Sequence, residues 1–95
     1  MDTSINNNLC PACGYVLGFM PWYDDSPSDE ICPSCGIQFG YDDHAGGNRT
    51  KRSIVYKEWR KHWIDDGLKW FSGEPPSGWN PMEQLSNIGV DIKSV

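Results

Sequence analysis

The sequence predicts a small α+β fold, in which short antiparallel β knuckles pack against one longer and one shorter α-helix. Three observations predict this fold: a C-P-x-C-G motif that occurs twice, a later stretch with helical spacing of apolar residues, and a proline and glycine segment that precedes a second helix signal. The chain has 95 residues, of which 38% are hydrophobic and 13% aromatic. We therefore predict a single folded domain over residues 1–95.

The four cysteines stand in two copies of one motif, which are separated by 18 residues. The motifs are Cys10-Pro11-Ala12-Cys13-Gly14 and Cys32-Pro33-Ser34-Cys35-Gly36. This spacing is typical of zinc ribbons, in which two C-x-x-C pairs supply four thiolates to one ion. We predict that residues 10–41 form a zinc-ribbon-like unit and that Cys10, Cys13, Cys32 and Cys35 bind one structural Zn²⁺. A site closed by four thiolates has no ligand position left for water, so no catalysis is predicted there.

Two other functions of the cysteines stay open at this point. A pair of disulfides or a redox motif requires an oxidising compartment or a βαβ pattern, and the sequence indicates neither. The same twin motif also holds iron in rubredoxin-like electron carriers, and the aromatic residues near the motifs suit that function equally. Iron is therefore the alternative cofactor.

The elements of the ribbon follow from the residues around the two motifs. Residues 1–9 are polar and rich in asparagine, which predicts terminal disorder. Tyr15–Trp22 is predicted as a short strand, interrupted by Gly18 and stopped by Pro21. Asp29–Cys32 leads into the second motif and Ile37–Tyr41 leaves it, so we expect a small antiparallel sheet with both knuckles at one end.

The helical part is predicted over residues 49–95. Its longer helix runs from Ser53, the predicted N-cap, to about Asp66, and Gly67 ends it. One face of this helix carries Val55, Tyr56, Trp59 and Trp63. The shorter helix follows the segment 72–79, with Asn80 as N-cap and Pro81 at the first helical position. Met82 and Leu85 are predicted to face inward.

The first 48 residues contain seven acidic residues and neither lysine nor arginine. This charge predicts an acidic surface that can bind a basic site on another protein by charge complementarity. The candidate partner-binding residues are Asp24, Asp25, Asp42 and Asp43.

Residues 49–61 have a net charge of +5, in contrast to −5 for the whole chain. This basic segment either folds back on the acidic ribbon or contacts nucleic acid. The candidate nucleic-acid-binding residues are Arg49, Lys51, Arg52, Lys57, Arg60 and Lys61. An overall acidic chain favours a protein partner over nucleic acid.

No sequence feature indicates an enzyme, because no nucleophile elbow and no phosphate-binding glycine loop is present. The five tryptophans are expected to contribute to the core, and both histidines, His44 and His62, are expected to have ordinary surface positions. No apolar window is long enough to span a membrane, and the first residues lack the features of a signal peptide. We therefore expect a cytoplasmic protein without a membrane partner.

Several stretches of this sequence carry a resemblance to a known family. They are the C-P-x-C-G motif, Glu30–Gly36, Phe39–Asp43, Tyr56, Trp59-Arg60, Gly67, Trp70-Phe71, Gly78–Pro81 and Gln84-Leu85. From about Cys10 to Leu85 the chain resembles the CPCC-type proteins, a small bacterial family of cysteine-rich proteins, although Ala12 separates cysteines that are adjacent in the CPCC motif. The resemblance implies a bacterial, cytoplasmic, zinc-binding protein of uncharacterised activity, with a suspected toxin-neutralising role.

These observations lead to one preferred function and two alternatives. The preferred function is a non-enzymatic, zinc-binding protein-interaction module, similar to an immunity protein or antitoxin. The first alternative is a nucleic-acid-binding zinc ribbon that uses the basic segment. The second is the rubredoxin-like iron electron carrier.

Overall fold

The computed structural model describes residues 8–23 and 26–90, and for Arg49 the backbone alone. In chain order these residues form strands β1 (Trp22–Tyr23) and β2 (Ser26–Pro27), a 3-10 turn (Ala45–Gly47), the long helix α1 (Arg49–Asp65) and the short helix α2 (Pro81–Ser86). The two strands are antiparallel, with Trp22 opposite Pro27 and Tyr23 opposite Ser26. The predicted α+β class, with one longer and one shorter helix, is confirmed.

Two knuckles repeat the same backbone pattern at the two cysteine motifs. In the first knuckle, the Cys10 N–H donates to the Tyr15 carbonyl at 2.9 Å, and the Gly14 N–H donates to the Cys10 carbonyl at 2.8 Å. In the second knuckle, the corresponding donors Cys32 and Gly36 make the same two bonds, both at 2.9 Å. Gly14 and Gly36 have φ values of 84° and 82°, a conformation that glycine adopts without strain. The sequence repeat is therefore also a structural repeat.

Each knuckle continues into a single antiparallel bridge instead of an extended strand. The bridged pairs are Leu9 with Val16 and Ile31 with Gln38. The strand predicted over Tyr15–Trp22 is therefore wrong, because regular pairing begins only at Trp22. Gly18 explains the interruption, since its φ of 80° turns the backbone out of the extended conformation.

The ribbon begins before the first motif. Leu9 is buried, and the Leu17 N–H donates to the Asn8 carbonyl at 2.7 Å. Asn8 and Leu9 therefore belong to the first knuckle, although they were predicted within a disordered segment. The remainder of that segment, residues 1–7, lies outside the described residues.

Helix α1 begins earlier than the sequence predicted. The N-cap is Asn48, whose side-chain oxygen accepts hydrogen bonds from the N–H groups of Thr50 at 2.9 Å and Lys51 at 3.2 Å. Ser53 lies inside the helix, and its hydroxyl donates to the Thr50 carbonyl at 2.8 Å. The predicted cap at Ser53 is wrong because Asn48 caps equally well and nothing between the two residues breaks a helix.

The end of α1 agrees with the prediction. The Gly67 N–H donates to the Ile64 carbonyl at 3.0 Å, and the Leu68 N–H donates to the Trp63 carbonyl at 2.9 Å. This pair of bonds is the glycine-dependent closure of a helix, and Gly67 adopts the required positive φ of 102°. The chain then turns toward the second knuckle.

Helix α2 has the predicted cap but a different buried face. The Asn80 side chain accepts from the Met82 N–H at 3.0 Å, and Pro81 occupies the first helical position. Leu85 is fully buried as predicted, whereas Met82 is 56% exposed, so its predicted inward position is wrong. Gln84 and Leu85 form the buried face together, which turns Met82 toward the solvent.

The core is built around the four cysteines. Among the described residues, the other large buried apolar side chains are those of Leu9, Ile37, Phe39, Trp63 and Leu85. Trp70 connects the first knuckle to the segment before α2. Its ring makes edge-to-face contacts with Tyr15 and with Trp79, each at 5.2 Å between centroids. Within residues 8–23 and 26–90, neither helix combines the length and the apolarity that a membrane crossing requires.

Candidate metal centre

The four cysteine side chains meet in the interior. Their Sγ atoms all lie within 4.8 Å of one another, and all four residues are buried and free of disulfide bonds. Two of the separations join the two knuckles: 3.8 Å between Cys10 and Cys35, and 3.6 Å between Cys13 and Cys32. Four sulfurs at about 2.3 Å from a zinc ion in a tetrahedron lie about 3.8 Å apart. The cluster thus has the chemistry and the dimensions of a site for one metal ion.

The electrostatics of the cluster indicate that a cation stabilises its ionised form. Burial raises the pKa of the Cys13 thiol, whereas hydrogen bonds from neighbouring thiols lower the pKa of Cys32. The thiols therefore do not ionise independently, and four buried thiolates without a cation carry a large desolvation cost. A bound divalent ion offsets a large part of this cost.

Arg60 brings a positive charge to the first knuckle. Its Nε donates to the Ala12 carbonyl at 2.7 Å, and its Nη2 donates to the Pro11 carbonyl at 3.0 Å. The pKa of Arg60 is lowered from its ordinary value, because the effect of burial exceeds the opposite effect of the nearby Cys10 and Cys13. The guanidinium keeps its proton in any protein environment, so it compensates part of the negative charge of the cysteines.

The second knuckle is held by α1 and by the segment that follows it. The Trp59 indole N–H donates to the Cys35 carbonyl at 3.0 Å. The N–H groups of Phe71 and Ser72 donate to the carbonyls of Ser34 at 3.0 Å and Pro33 at 2.9 Å. Residues 33–35 are thus fixed by three hydrogen bonds from outside the ribbon.

Gln84 of α2 connects the two knuckles. Its side-chain amide donates to the Cys13 carbonyl at 3.2 Å and to the Ser34 hydroxyl at 2.9 Å, and its oxygen accepts from the Trp79 indole at 2.7 Å. Asn87 adds a bond to the Gly14 carbonyl at 3.0 Å. These contacts hold the two ligand-bearing loops in place, as residues that surround the ligands do in metal sites.

Two of the four acidic residues predicted to bind a partner are described in the structure, and neither is fully exposed. Asp43 is fully buried, and its carboxylate accepts hydrogen bonds from the Trp22 indole at 2.7 Å, the Tyr56 hydroxyl at 2.7 Å and the Gly40 N–H at 2.6 Å. Its predicted place on the surface is therefore corrected: it joins the ribbon to α1. Asp42 is half-buried and accepts from the Gln38 N–H at 2.8 Å. Asp24 and Asp25 lie outside the described residues.

The basic residues of α1 divide into two groups. Arg60 faces the first knuckle, and the Arg52 guanidinium lies 3.8 Å from the centroid of the Trp22 ring in a cation–π contact. Lys51, Lys57 and Lys61 are exposed, and Arg49 begins the helix. Among the described side chains, the residues predicted to bind nucleic acid therefore do not form one continuous basic face.

Sequence reasoning missed the supporting roles of Arg60, Trp59 and Gln84. Arg60 was grouped with surface charges, although its position one turn after Tyr56 on α1 indicates the packed face. Trp59 was predicted on the buried face, but its N–H bond to Cys35 was not foreseen. No local signal distinguishes Gln84 from a surface glutamine.

No family model matches this chain, and no curated protein and no solved structure is significantly similar to it. The fold and the site therefore define its class. It is a small α+β protein whose four clustered cysteines can hold a metal ion.

Proposed function

We propose that the protein binds one Zn²⁺ at Cys10, Cys13, Cys32 and Cys35, and that this ion has a structural role. The observation that carries the proposal is the burial of four free thiols at separations suited to a tetrahedral ion. A small chain with few other large buried side chains gains much of its folding free energy from such a site.

Metal analysis of the protein purified from its native cells tests this proposal. We expect one zinc per chain and a colourless solution, whereas iron on four thiolates is coloured. A Cys32→Ser variant should lose zinc and unfold at a much lower temperature, because a hydroxyl replaces one thiolate ligand. Full zinc content and an unchanged melting temperature in that variant would contradict the proposal, and a coloured iron protein would establish the alternative cofactor.

The site also supports a non-enzymatic function, because a four-thiolate site leaves no coordination position for a substrate. We propose that the protein acts through its surface, as a module that binds another protein. Its net charge of −5 favours a partner with a basic surface. The resemblance to CPCC-type proteins, and with it an immunity or antitoxin role, stays a prediction of the sequence.

The β1–β2 end of the ribbon is the region that best suits such a partner. Tyr23 and Tyr41 are 69% and 77% exposed, and Asp29 is also exposed. Gly40 packs closely on Pro27 of β2, because a Cβ added at Gly40 would lie 2.6 Å from the proline ring. The backbone of the next residue, Tyr41, therefore lies near the β1–β2 hairpin. We name Tyr23, Asp29 and Tyr41 the hairpin surface. Tyrosines are enriched at protein-binding surfaces, and the Asp29 carboxylate suits a partner with a basic surface.

Affinity capture from native lysate tests the interaction proposal. We expect the zinc-loaded protein to capture one basic protein in a stoichiometric amount. The Tyr41→Ala variant should no longer capture it. Met82→Ala is the matched control, because Met82 is also exposed and apolar but lies on α2. Capture that is unaffected by Tyr41→Ala, or equally reduced by Met82→Ala, would contradict the assignment of the hairpin surface.

The nucleic-acid alternative depends on the exposed lysines of α1. Lys51, Lys57 and Lys61 can contact phosphates, and such binding weakens steeply with salt. Binding of DNA or RNA at low salt, lost in a variant with all three lysines replaced by glutamine, would support this function. Absence of binding at low salt would exclude it.

A further inference from the structure

An open cleft of about 380 Å³ lies between the second knuckle and the end of α1. Its lining residues are Cys35, Trp59, His62, Trp63 and Asp66. Cys35 is 7% exposed, whereas Cys10, Cys13 and Cys32 have no exposed surface. Among the described residues, the cleft is therefore the place where the cysteine cluster comes closest to solvent.

The other sides of the cluster are covered by side chains that are held in place. Arg60 covers the first knuckle through two hydrogen bonds to its backbone, and Gln84 covers Cys13 and Ser34. The Trp59 indole is bound to the Cys35 carbonyl, which fixes one wall of the cleft. An ion that reaches the cluster through the cleft does not have to break these bonds.

Two exposed side chains of the cleft have metal-binding chemistry of their own. His62 lies in the last turn of α1, and Asp66 follows four residues later at the C-cap. Imidazole and carboxylate groups both bind Zn²⁺, and a pair of such ligands binds it much more weakly than four thiolates do. The cleft thus brings Cys35 together with two exposed side chains whose ligand atoms suit transient binding.

We propose that His62 and Asp66 form a low-affinity relay site through which divalent metal ions reach and leave the four-cysteine site at Cys35. This inference rests on the proposed function, since it requires that the cysteines bind zinc. In the relay, an incoming ion binds His62 and Asp66, and the Cys35 sulfur then replaces one of these ligands. Release of the ion follows the same steps in reverse.

Exchange of bound zinc against isotopically enriched free Zn²⁺ in the intact zinc-loaded protein tests the relay. The relay predicts an exchange rate that does not rise with the concentration of free Zn²⁺, because the bound ion must leave through His62 and Asp66 before another ion enters. His62→Ala and Asp66→Asn should each slow exchange severalfold, with zinc content and melting temperature unchanged. His44→Ala and Asp65→Asn are matched controls, because His44 does not line this cleft and Asp65 is the exposed neighbour of Asp66.

The outcomes separate the relay from a structural effect and from the proposed function itself. A variant that merely loosens the fold releases zinc faster, so faster release from His62→Ala would overturn the relay. Exchange rates equal to those of the wild type and of the controls would overturn it as well. A wild-type protein without bound zinc would overturn the proposed function first, and the relay with it.

Discussion

Trp59 and Arg60 are consecutive residues of α1, and their side chains donate hydrogen bonds to opposite knuckles of the cysteine cluster. Trp59 binds the Cys35 carbonyl at 3.0 Å, and Arg60 binds the Ala12 and Pro11 carbonyls at 2.7 and 3.0 Å. Successive residues of a helix differ in direction by about 100°, so one turn of α1 reaches both loops. The long helix and the metal centre therefore stabilise each other.

Replacement of Arg60 should show how much its hydrogen bonds to the first knuckle contribute to the free energy of unfolding. We expect Arg60→Gln to lower the free energy of unfolding by about 2 kcal/mol, because two charge-assisted hydrogen bonds are lost. Lys61→Gln removes the same charge from an exposed neighbour and should change it by less than about 0.5 kcal/mol. Urea unfolding of the zinc-loaded variants measures both values. Equal effects of the two substitutions would contradict the role assigned to Arg60.

The buried carboxylate of Asp43 should contribute substantially to the free energy of unfolding. Its two oxygens accept three hydrogen bonds, and an amide has only one oxygen to offer, so Asp43→Asn turns an N–H group toward a donor. We expect a loss of about 2 kcal/mol in the free energy of unfolding. Asp29→Asn, at an exposed position where asparagine tolerates the positive φ of 63°, is the control and should be nearly neutral. A neutral Asp43→Asn would show that this network does not join the ribbon to α1.

Tyr56 should make stability depend on alkaline pH. Burial, together with the hydrogen bond to Asp43, raises the pKa of the Tyr56 phenol above its ordinary value. The folded state then holds the phenol proton more tightly than the unfolded state, so the contribution to stability is complete below about pH 10 and decreases as the pH rises further.

Tyr56→Phe provides the measurement of this dependence. The free energy of unfolding should fall less steeply with alkaline pH in Tyr56→Phe than in the wild type. Tyr41→Phe is the control, because Tyr41 is exposed, and it should keep the wild-type slope. Identical slopes for all three proteins would contradict the raised pKa.

The glycine of the first knuckle should be required for more than its backbone conformation. A Cβ at Gly14 would collide with the Gln84 carbonyl of α2, whereas a Cβ at Gly73 would meet open space. Both glycines have positive φ, so alanine at either position costs about 1–2 kcal/mol in backbone strain. We expect Gly14→Ala to lower the melting temperature clearly more than Gly73→Ala. Equal melting temperatures would show that α2 does not press on this knuckle.

The features that the sequence predicted correctly are governed by local signals. The C-P-x-C-G repeat fixes the same turn twice, and a turn of this kind depends only on residues within it. Gly67 and the pair Asn80-Pro81 likewise mark helix boundaries through contacts a few residues away. Where two local signals of equal quality compete, as Asn48 and Ser53 do, the sequence alone does not decide between them.

The features that the sequence did not predict depend on distant partners. Arg60 binds carbonyls of residues 11 and 12, and Asp43 binds Trp22 and Tyr56. Both residues were assigned to charged surfaces, because burial of a charge depends on partners that only the folded chain brings together. The acidic and basic surfaces predicted from composition are smaller in the structure for this reason.

Removal of the metal tests the central claim most directly, that one zinc ion at the four cysteines holds the fold together. Circular dichroism and zinc content are followed in one sample while a chelator is added, and Zn²⁺ is then restored in excess. We predict that the helical signal is lost in proportion to the zinc removed and returns when Zn²⁺ is restored. A helical signal and a thermal unfolding curve that stay unchanged after complete removal of zinc would contradict the account.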